Sequence, residues 1–150
     1  MSQAKKVFTR MCLNNWGGID HKVLEFHEYV NLFSGKSGSG KSTVMDAIQV
    51  ILYGSFSPSF LNKAADDAKN RRSVLSYLRG EQKDGSANRK DCDFCSVIAL
   101  EIEDTGTHII TCIGIAFEVR KSDSEIKKFV YFSHSGKMPT SGYLTDGIDR

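Results

Sequence analysis

The first regular pattern in the sequence is an alternation of side chains with a period of two, in KVFTRMCLNNW at residues 6–16. Alternation over residues 7–13 predicts a β-strand, because successive side chains of a strand point to opposite faces. The turn-forming residues NNWGG follow at positions 14–18. Short runs at residues 22–26 and 30–33 predict two further strands, the second of which leads directly into Gly35.

At Lys41 the apolar period changes to that of a helix. Neither Gly nor Pro interrupts the pattern before Gly54, so we predict an amphipathic helix between these positions. Its buried face is predicted to carry Val44, Ile48, Ile51 and Leu52. The unit at residues 5–56 therefore reads as strand, glycine-rich loop and helix in direct succession.

A polar insert is predicted at residues 57–91, with helix-like patches at 64–70 and 74–78. Its last part, residues 81–91, contains Ala87 as its only apolar residue and predicts a mobile loop. Regular alternation returns at residues 92–134, with short turns at 104–107 and 121–124, and predicts antiparallel hairpins whose strands are half exposed. Residues 135–150 predict a tail without a clear element, and the whole chain is predicted to form one domain.

Composition limits the classes of protein that these elements can form. With 150 residues, 40% of them hydrophobic, the chain can bury one core. The formal net charge of +2 does not by itself indicate nucleic-acid binding. No apolar run approaches the roughly 18 residues of a membrane span, and the first residues lack the apolar centre of a signal peptide. We therefore expect a cytoplasmic protein without a membrane partner.

The four cysteines are expected to be reduced in that compartment. Cys92 and Cys95 have the spacing of a metal-binding or redox pair, but no second pair lies nearby. We interpret them as the entrance of a strand. Cys12 and Cys112 lie in apolar runs and are predicted to be small core residues.

The stretch GKSGSGKS satisfies the Walker A pattern G-x-x-x-x-G-K-[S/T], and it stands between an apolar strand and a helix, as such a loop requires. Its glycines let consecutive backbone N–H groups point at phosphates, and the helix adds its positive end. Lys41 is predicted to reach the β- and γ-phosphates, Ser42 to ligate Mg²⁺ and Thr43 to contact the α-phosphate. The predicted site comprises Gly35, Lys36, Ser37, Gly38, Ser39, Gly40, Lys41, Ser42 and Thr43.

Hydrolysis also needs a Mg²⁺-holding carboxylate and a residue that orients water. The run that ends at Glu101 is the one candidate, but its alternation favours a hairpin strand over a buried parallel one. Neither a Leu-Ser-Gly-Gly signature nor an Asn-Lys-x-Asp motif occurs in the chain. Two alternatives stay open from the residues alone: a compact phosphate-loop kinase that uses Glu101, and a non-catalytic nucleotide-binding module.

A strand ending in Asn15-Trp16-Gly17, followed by NLFSGKSGSGKSTVMDAIQVILYG, is similar to the N-terminal half of the ATPase heads of structural-maintenance-of-chromosomes (SMC) proteins and of Rad50, SbcC, RecF and MukB. Asp46-Ala47-Ile48 after the loop strengthens the likeness, which covers about residues 5–80. The later AADDAKNRRSVLSYLRGE more narrowly resembles the MukB-like condensin subunit of Wadjet plasmid-defence systems, of the MksF or JetC type.

The resemblance implies an α/β fold, the N-terminal lobe of an ABC-type ATPase head with an antiparallel β-meander. In that family a coiled coil separates this half from a C-terminal half with the signature, the Walker B Asp and the catalytic Glu, and ATP is held between two heads. The chain is therefore expected to be part of a DNA motor ATPase that binds ATP and Mg²⁺ here and has little turnover alone. The implied partners are a second head in a homodimer, the C-terminal half, kleisin-like and accessory subunits, and DNA bound without sequence preference.

The same resemblance points to two further groups of residues. A basic group at Lys63, Arg71, Arg72 and Arg79 lies near where the family places a residue that touches nucleotide or DNA, and Lys69, Lys83, Arg89 and Lys90 add to its charge. A solvated basic face is the alternative. Asn15 and Trp16 lie at a turn that is close to the nucleotide in the family, so a contact to adenine is implied, whereas Trp16 could instead cap the core.

Overall fold

The computed structural model describes residues 4–26, 41–54, 73–81, 86–140 and 142–143. The elements in these ranges are β1 (Lys6–Trp16), β2 (Ile19–Glu25), α1 (Lys41–Tyr53), α2 (Val74–Arg79), β3 (Phe94–Asp104), β4 (Ile110–Val119) and β5 (Lys128–Ser135). The predicted strand at 30–33, the predicted helical patch at 64–70 and the glycine-rich part of the phosphate loop at 35–40 lie outside the described residues.

The five strands form a single antiparallel sheet in the order β2-β1-β3-β4-β5. The predicted antiparallel hairpins of residues 92–134 are confirmed. The N-terminal strand pairs with β3 as well as with β2, in a register that sets Met11 opposite Leu100 and Leu13 opposite Ile98. The pattern of each segment alone did not predict this long-range pairing, which makes β3 the middle strand.

The turn between β1 and β2 is shorter than the sequence predicted. Strand β1 continues to Trp16 and β2 begins at Ile19, which leaves Gly17 and Gly18 as the turn. The left-handed φ of +52° at Asn15 interrupts the alternation of β1. As a result Leu13 and Trp16 both lie in the core beneath α1, although a regular strand would place them on opposite faces.

The first core lies between α1 and one face of the sheet. Met11 and Leu13 of β1, Ile98 and Leu100 of β3, and Ile115 of β4 pack there. The helix contributes mainly Val44, Ala47, Val50 and Ile51. The prediction for Leu52 was wrong, since 46% of its surface is exposed. A spacing of three to four residues runs through Val44, Ala47 and Val50 and leaves Leu52 on the outer side.

The opposite face of the sheet carries a second core of Cys12, Val97, Ala99, Cys112 and Met138. Met138 follows β5 and is 2% exposed, so the predicted structureless tail is wrong for this part of it. Because both faces are covered, every residue of β3 from Phe94 to Glu101 is buried. The prediction of half-exposed hairpin strands therefore fails for β3, the strand that has neighbours on every side.

The two edges of the sheet differ in polarity. The β2 edge presents Asp20, His21, Lys22 and Glu25. The β5 edge instead exposes large apolar side chains, namely Phe129, Val130 and Tyr131. Among the described residues, β5 pairs with β4 alone, so its outer backbone groups form no strand ladder there.

Helix α2 forms where the sequence predicted a short helix. Ser73 is its N-cap and accepts a hydrogen bond from the Ser76 N–H at 3.1 Å. Gly80 ends the helix in the left-handed conformation, with φ of +68°. These two signals explain why the helix is only six residues long.

Candidate nucleotide-binding site

Helix α1 begins at Lys41, where the sequence predicted it, directly after the glycine-rich loop. Its first turn contains no acidic residue, so the positive end of the helix dipole has no counter-charge from its own first turn. Amide N–H groups at such an end can bind an anion. The contacts predicted for residues 35–40, and for the side chains of Lys41 and Ser42, lie outside the described part of the chain and stay predictions.

Thr43 is the first residue of the helix whose side chain is described, and it is 9% exposed. Its methyl group packs against Gly17, where a Cβ would lie only 2.7 Å from Thr43 Cγ2. Gly17 also has a left-handed φ of +59°. The β1–β2 turn can therefore approach the helix this closely only with glycine at position 17. The predicted contact of Thr43 with the α-phosphate is not tested by this packing.

Trp16 is fully buried next to the start of α1. Its indole N–H donates a hydrogen bond to the backbone carbonyl of Thr43 at 2.9 Å. Because its N–H is used internally and its ring has no exposed surface, the implied contact with adenine is wrong for Trp16. Asn15, the other residue of that pair, donates from Nδ2 to the Cys95 carbonyl at 2.7 Å and so holds β1 to the start of β3.

Tyr77 of α2 completes this arrangement. Its ring stacks on Trp16 with a centroid separation of 4.9 Å and an interplanar angle of 8°. Its hydroxyl donates a hydrogen bond to the carboxylate of Asp46, which is 3% exposed, and its carbonyl accepts one from the Gly17 N–H at 2.6 Å. Helix α2 is therefore joined both to α1 and to the β1–β2 turn.

Comparison with known proteins supports a nucleotide site in this region. Residues 8–68 match the family model described as the P-loop containing region of AAA domain. The chain is also 39% identical over 74 residues to the SbcC subunit of the nuclease SbcCD from Staphylococcus haemolyticus (strain JCSC1435). That alignment covers 47% of this chain and 6% of the staphylococcal protein, so the chain spans only a small part of the curated relative.

The two matches confirm the coarser sequence predictions. The chain contains a P-loop region, and it is similar to an SMC- and Rad50-like ATPase in part of its length. The narrower resemblance to the Wadjet protein is not addressed by either match. Within the ranges that the structure describes, no helix is both long and apolar enough to cross a membrane.

Arg89 is the residue whose role the sequence predicted least well. It was placed in a mobile basic loop, but it is 6% exposed. Its guanidinium donates to the carbonyl of Leu78 at 2.7 Å and to that of Gly17 at 2.6 Å, and its Nη1 lies 3.1 Å from Asp20. Burial lowers the pKa of Arg89, while the neighbouring Asp20 raises it. Arg89 is therefore a structural cation and no part of a DNA-facing surface.

The other basic residues are divided by the structure. Arg79 donates from Nη2 to the carbonyls of Arg120 and Lys121 at 3.3 and 3.4 Å, and so holds the turn after β4. Lys90 is exposed. The remaining members of the predicted basic group, namely Lys63, Lys69, Arg71, Arg72 and Lys83, lie outside the described residues. The described members thus do not form one continuous basic patch.

Glu101, the candidate catalytic carboxylate of the kinase alternative, is a structural residue. It is 3% exposed and accepts hydrogen bonds from Thr9 Oγ1 at 2.7 Å and from the Met138 N–H at 2.6 Å. Arg10 Nε lies 3.4 Å from it. In β3 it alternates with Leu100, so it points to the face opposite α1. A carboxylate on that face cannot reach phosphates held at the start of α1.

The cysteines occupy the positions that the sequence suggested. Cys95 is buried at the entrance of β3, Cys92 is exposed just before it, and Cys12 and Cys112 are buried, all four as free thiols. Burial raises the pKa of Cys12 and of Cys112. No group of three or more His, Cys, Asp and Glu side chains in the described ranges is arranged to hold a metal ion.

Sequence reasoning missed the residues that hold the site in place. Gly17, Asp46, Tyr77 and Arg89 come together from four separate segments. Asp46 was noted as part of the motif after the loop, yet nothing in its neighbourhood indicated a tyrosine 31 residues later as its partner. A polar residue on the inner side of an amphipathic helix is the signal that could have found it, because such a residue needs a buried partner.

Proposed function

We propose that this chain is the ATP-binding N-terminal half of an SMC- or Rad50-like DNA motor ATPase head. The observation that carries the proposal is the start of α1 at Lys41, directly after GKSGSG, on a helix whose first turn is packed into the core. A cation at the positive end of a helix is unfavourable by itself, whereas an anion bound between them makes both favourable. The P-loop match and the similarity to the SbcC protein support the same interpretation.

In this proposal the chain supplies binding and a further half supplies hydrolysis. The described buried carboxylates are Asp46, Glu101 and Asp123. Each is engaged internally, by Tyr77, by Thr9 and Met138, and by the Arg120 N–H respectively. None is placed to hold Mg²⁺ beside a γ-phosphate. The Walker B Asp and the catalytic Glu would come from the C-terminal half, and ATP would be enclosed when two heads meet.

The finer proposal is a MukB-like subunit of a Wadjet plasmid-defence complex of the MksF or JetC type, acting in the cytoplasm. Its support is the resemblance carried by AADDAKNRRSVLSYLRGE, whose second half forms α2. Such a protein would act as a homodimer with kleisin-like and accessory subunits. ATP-driven engagement of its heads would move or entrap DNA, which is contacted through phosphates and without sequence preference.

The test compares the chain alone with the chain mixed with a C-terminal head half. Binding of Mg·ATP is measured by calorimetry and turnover by phosphate release, with Lys41→Ala as the matched variant. We expect binding by the chain alone, loss of binding in Lys41→Ala, and turnover only in the mixture. Turnover by the isolated chain would contradict the split site. Binding without turnover in the mixture would favour the non-catalytic module instead.

A further inference from the structure

The first turn of α1 is held from outside by two aromatic residues, Trp16 and Tyr77, here called the aromatic clamp. Trp16 donates to the Thr43 carbonyl at 2.9 Å, and Thr43 lies two residues after Lys41. Tyr77 donates to Asp46, three residues further along the helix. The two rings stack in parallel, at 4.9 Å and 8°. One rigid aromatic unit therefore contacts α1 at two successive points close to its beginning.

The clamp is anchored on its other side by Gly17 and Arg89. The Gly17 N–H donates to the Tyr77 carbonyl, and the Gly17 carbonyl accepts from Arg89 Nη2, both at 2.6 Å. Arg89 also donates from Nε to the Leu78 carbonyl at 2.7 Å. All four of these side chains and backbone groups are buried or nearly so, which strengthens each hydrogen bond relative to one in water. The clamp is thus fixed with respect to β1, the β1–β2 turn and α2.

We propose that the aromatic clamp is a positioning device for the phosphate-binding end of α1. Phosphate binding depends on the aim of consecutive N–H groups, so a small rotation or slide of the first turn weakens it. The hydrogen bond to the Thr43 carbonyl fixes the height of that turn, and the one to Asp46 fixes its rotation. Trp16 and Tyr77 act through α1 and do not touch the nucleotide.

The clamp also gives α2 a direct route to the nucleotide site. Any movement of α2 displaces the Tyr77 ring, and the ring is stacked on Trp16 and bonded to Asp46. Nucleotide binding and the position of α2 are therefore coupled, and coupling of this kind acts equally in both directions. A partner that displaces α2 would lower the affinity for nucleotide.

This inference rests on the proposed nucleotide binding, and its test keeps the two apart. Tyr77→Phe keeps the stacked ring and removes only the hydroxyl that holds Asp46. Tyr131→Phe is the matched control, because the Tyr131 hydroxyl donates to the Gly54 carbonyl at 3.0 Å, at the opposite end of the same helix. Trp16→Phe is a second variant, which keeps an aromatic ring and removes the donor to Thr43.

We expect the affinity of the whole chain for Mg·ATP, measured by calorimetry, to fall at least about fivefold in Tyr77→Phe and in Trp16→Phe, the lower end for coupling between sites. Tyr131→Phe should stay within about twofold of the unsubstituted chain. Circular dichroism and thermal melting select variants that are folded. A loss common to Tyr77→Phe and Tyr131→Phe would mean general support of the helix and would overturn the positioning role.

Fluorescence supplies a readout that a general loss of stability would not reproduce. Trp16 is the only tryptophan of the chain, so its emission reports on the clamp alone. We expect Mg·ATP to change that emission in the unsubstituted chain, to change it much less in Tyr77→Phe, and to leave it unchanged in Lys41→Ala. Unaltered affinity and an unaltered emission response in folded Tyr77→Phe would overturn the clamp. Absence of Mg·ATP binding by the unsubstituted chain would overturn the proposed function itself, and the clamp's role with it.

Discussion

The guanidinium of Arg89 and the carbonyl of Gly17 are joined by a buried hydrogen bond of 2.6 Å, although 72 residues separate them in the sequence. The contact holds the loop after α2 against the β1–β2 turn. Leu78 accepts a second bond from the same guanidinium at 2.7 Å. A residue in a polar, glycine-containing stretch thereby becomes a central support of the nucleotide-binding half.

Removal of Arg89 should destabilise the fold. In Arg89→Ala the carbonyls of Gly17 and Leu78 lose a buried charged donor, and we expect the free energy of unfolding to fall by about 3 kcal/mol. Urea denaturation followed by circular dichroism measures the change. Lys90→Ala, at the exposed neighbouring position, is the control and should lie within about 0.5 kcal/mol of the unsubstituted chain. Equal midpoints for the two variants would refute the structural role of Arg89.

The two glycines of the β1–β2 turn should differ in their tolerance of alanine. Gly17→Ala places a methyl group 2.7 Å from Thr43 Cγ2 at a left-handed φ, and we expect a loss of about 2 kcal/mol. Gly18→Ala meets no atom within 4 Å and should be nearly neutral. Thermal melting of both variants tests the difference. Because Gly17 touches the first turn of α1, Gly17→Ala should also bind Mg·ATP more weakly, whereas Gly18→Ala should not.

Substitution of Glu101 should affect stability and leave nucleotide binding intact. Glu101→Ala removes the acceptor for Thr9 Oγ1 and the Met138 N–H and leaves Arg10 without its carboxylate, so we expect a loss of about 3 kcal/mol. Glu103→Ala, two residues along the same strand and less buried, is the control and should cost less than about 1 kcal/mol. Chemical denaturation gives the stabilities. A loss of Mg·ATP affinity in folded Glu101→Ala would reopen a catalytic interpretation of this residue.

The four thiols should separate sharply in alkylation rate. Cys92 is exposed, whereas Cys12, Cys95 and Cys112 are buried. A raised pKa means less thiolate at a given pH, so burial slows the reaction of Cys12 and Cys112 in two ways, through access and through ionisation. We expect iodoacetamide at pH 8 to modify Cys92 first, with all four reacting in denaturant, as read by peptide mass spectrometry. Comparable rates for Cys112 and Cys92 in the native chain would be inconsistent with this fold.

Local patterns in the sequence were sufficient to predict most individual elements. Alternation predicted β1 and the hairpins, the change of period at Lys41 predicted α1, and Ser73 and Gly80 bound α2 where a short helix was predicted. Walker A spacing located the candidate site, because that motif encodes its own backbone geometry. Both successes depend on interactions between residues that are close in sequence.

What the sequence did not predict depends on contacts between distant residues. The burial of β3 on both faces follows from the pairing of β1 with β3 and from the chain that crosses at Met138. Arg89 looks solvated until Gly17 and Leu78 are brought next to it. Trp16 looked available to a nucleotide because its place on the inner face depends on the left-handed Asn15, which alternation alone does not reveal. Local polarity cannot report a partner that the fold supplies.

The unequal edges of the sheet have a consequence for how copies of the isolated chain would associate in solution. Strand addition needs an edge strand that can accept a neighbour and an apolar surface beside it, and the edge at Phe129, Val130 and Tyr131 offers both, while charged side chains line the β2 edge. A molecule with a single adhesive edge can pair with one other copy, after which no adhesive edge is left to continue the sheet. We therefore expect self-association to stop at a dimer rather than to grow into fibrils, and sedimentation of Val130→Lys, expected to be monomeric, would check this.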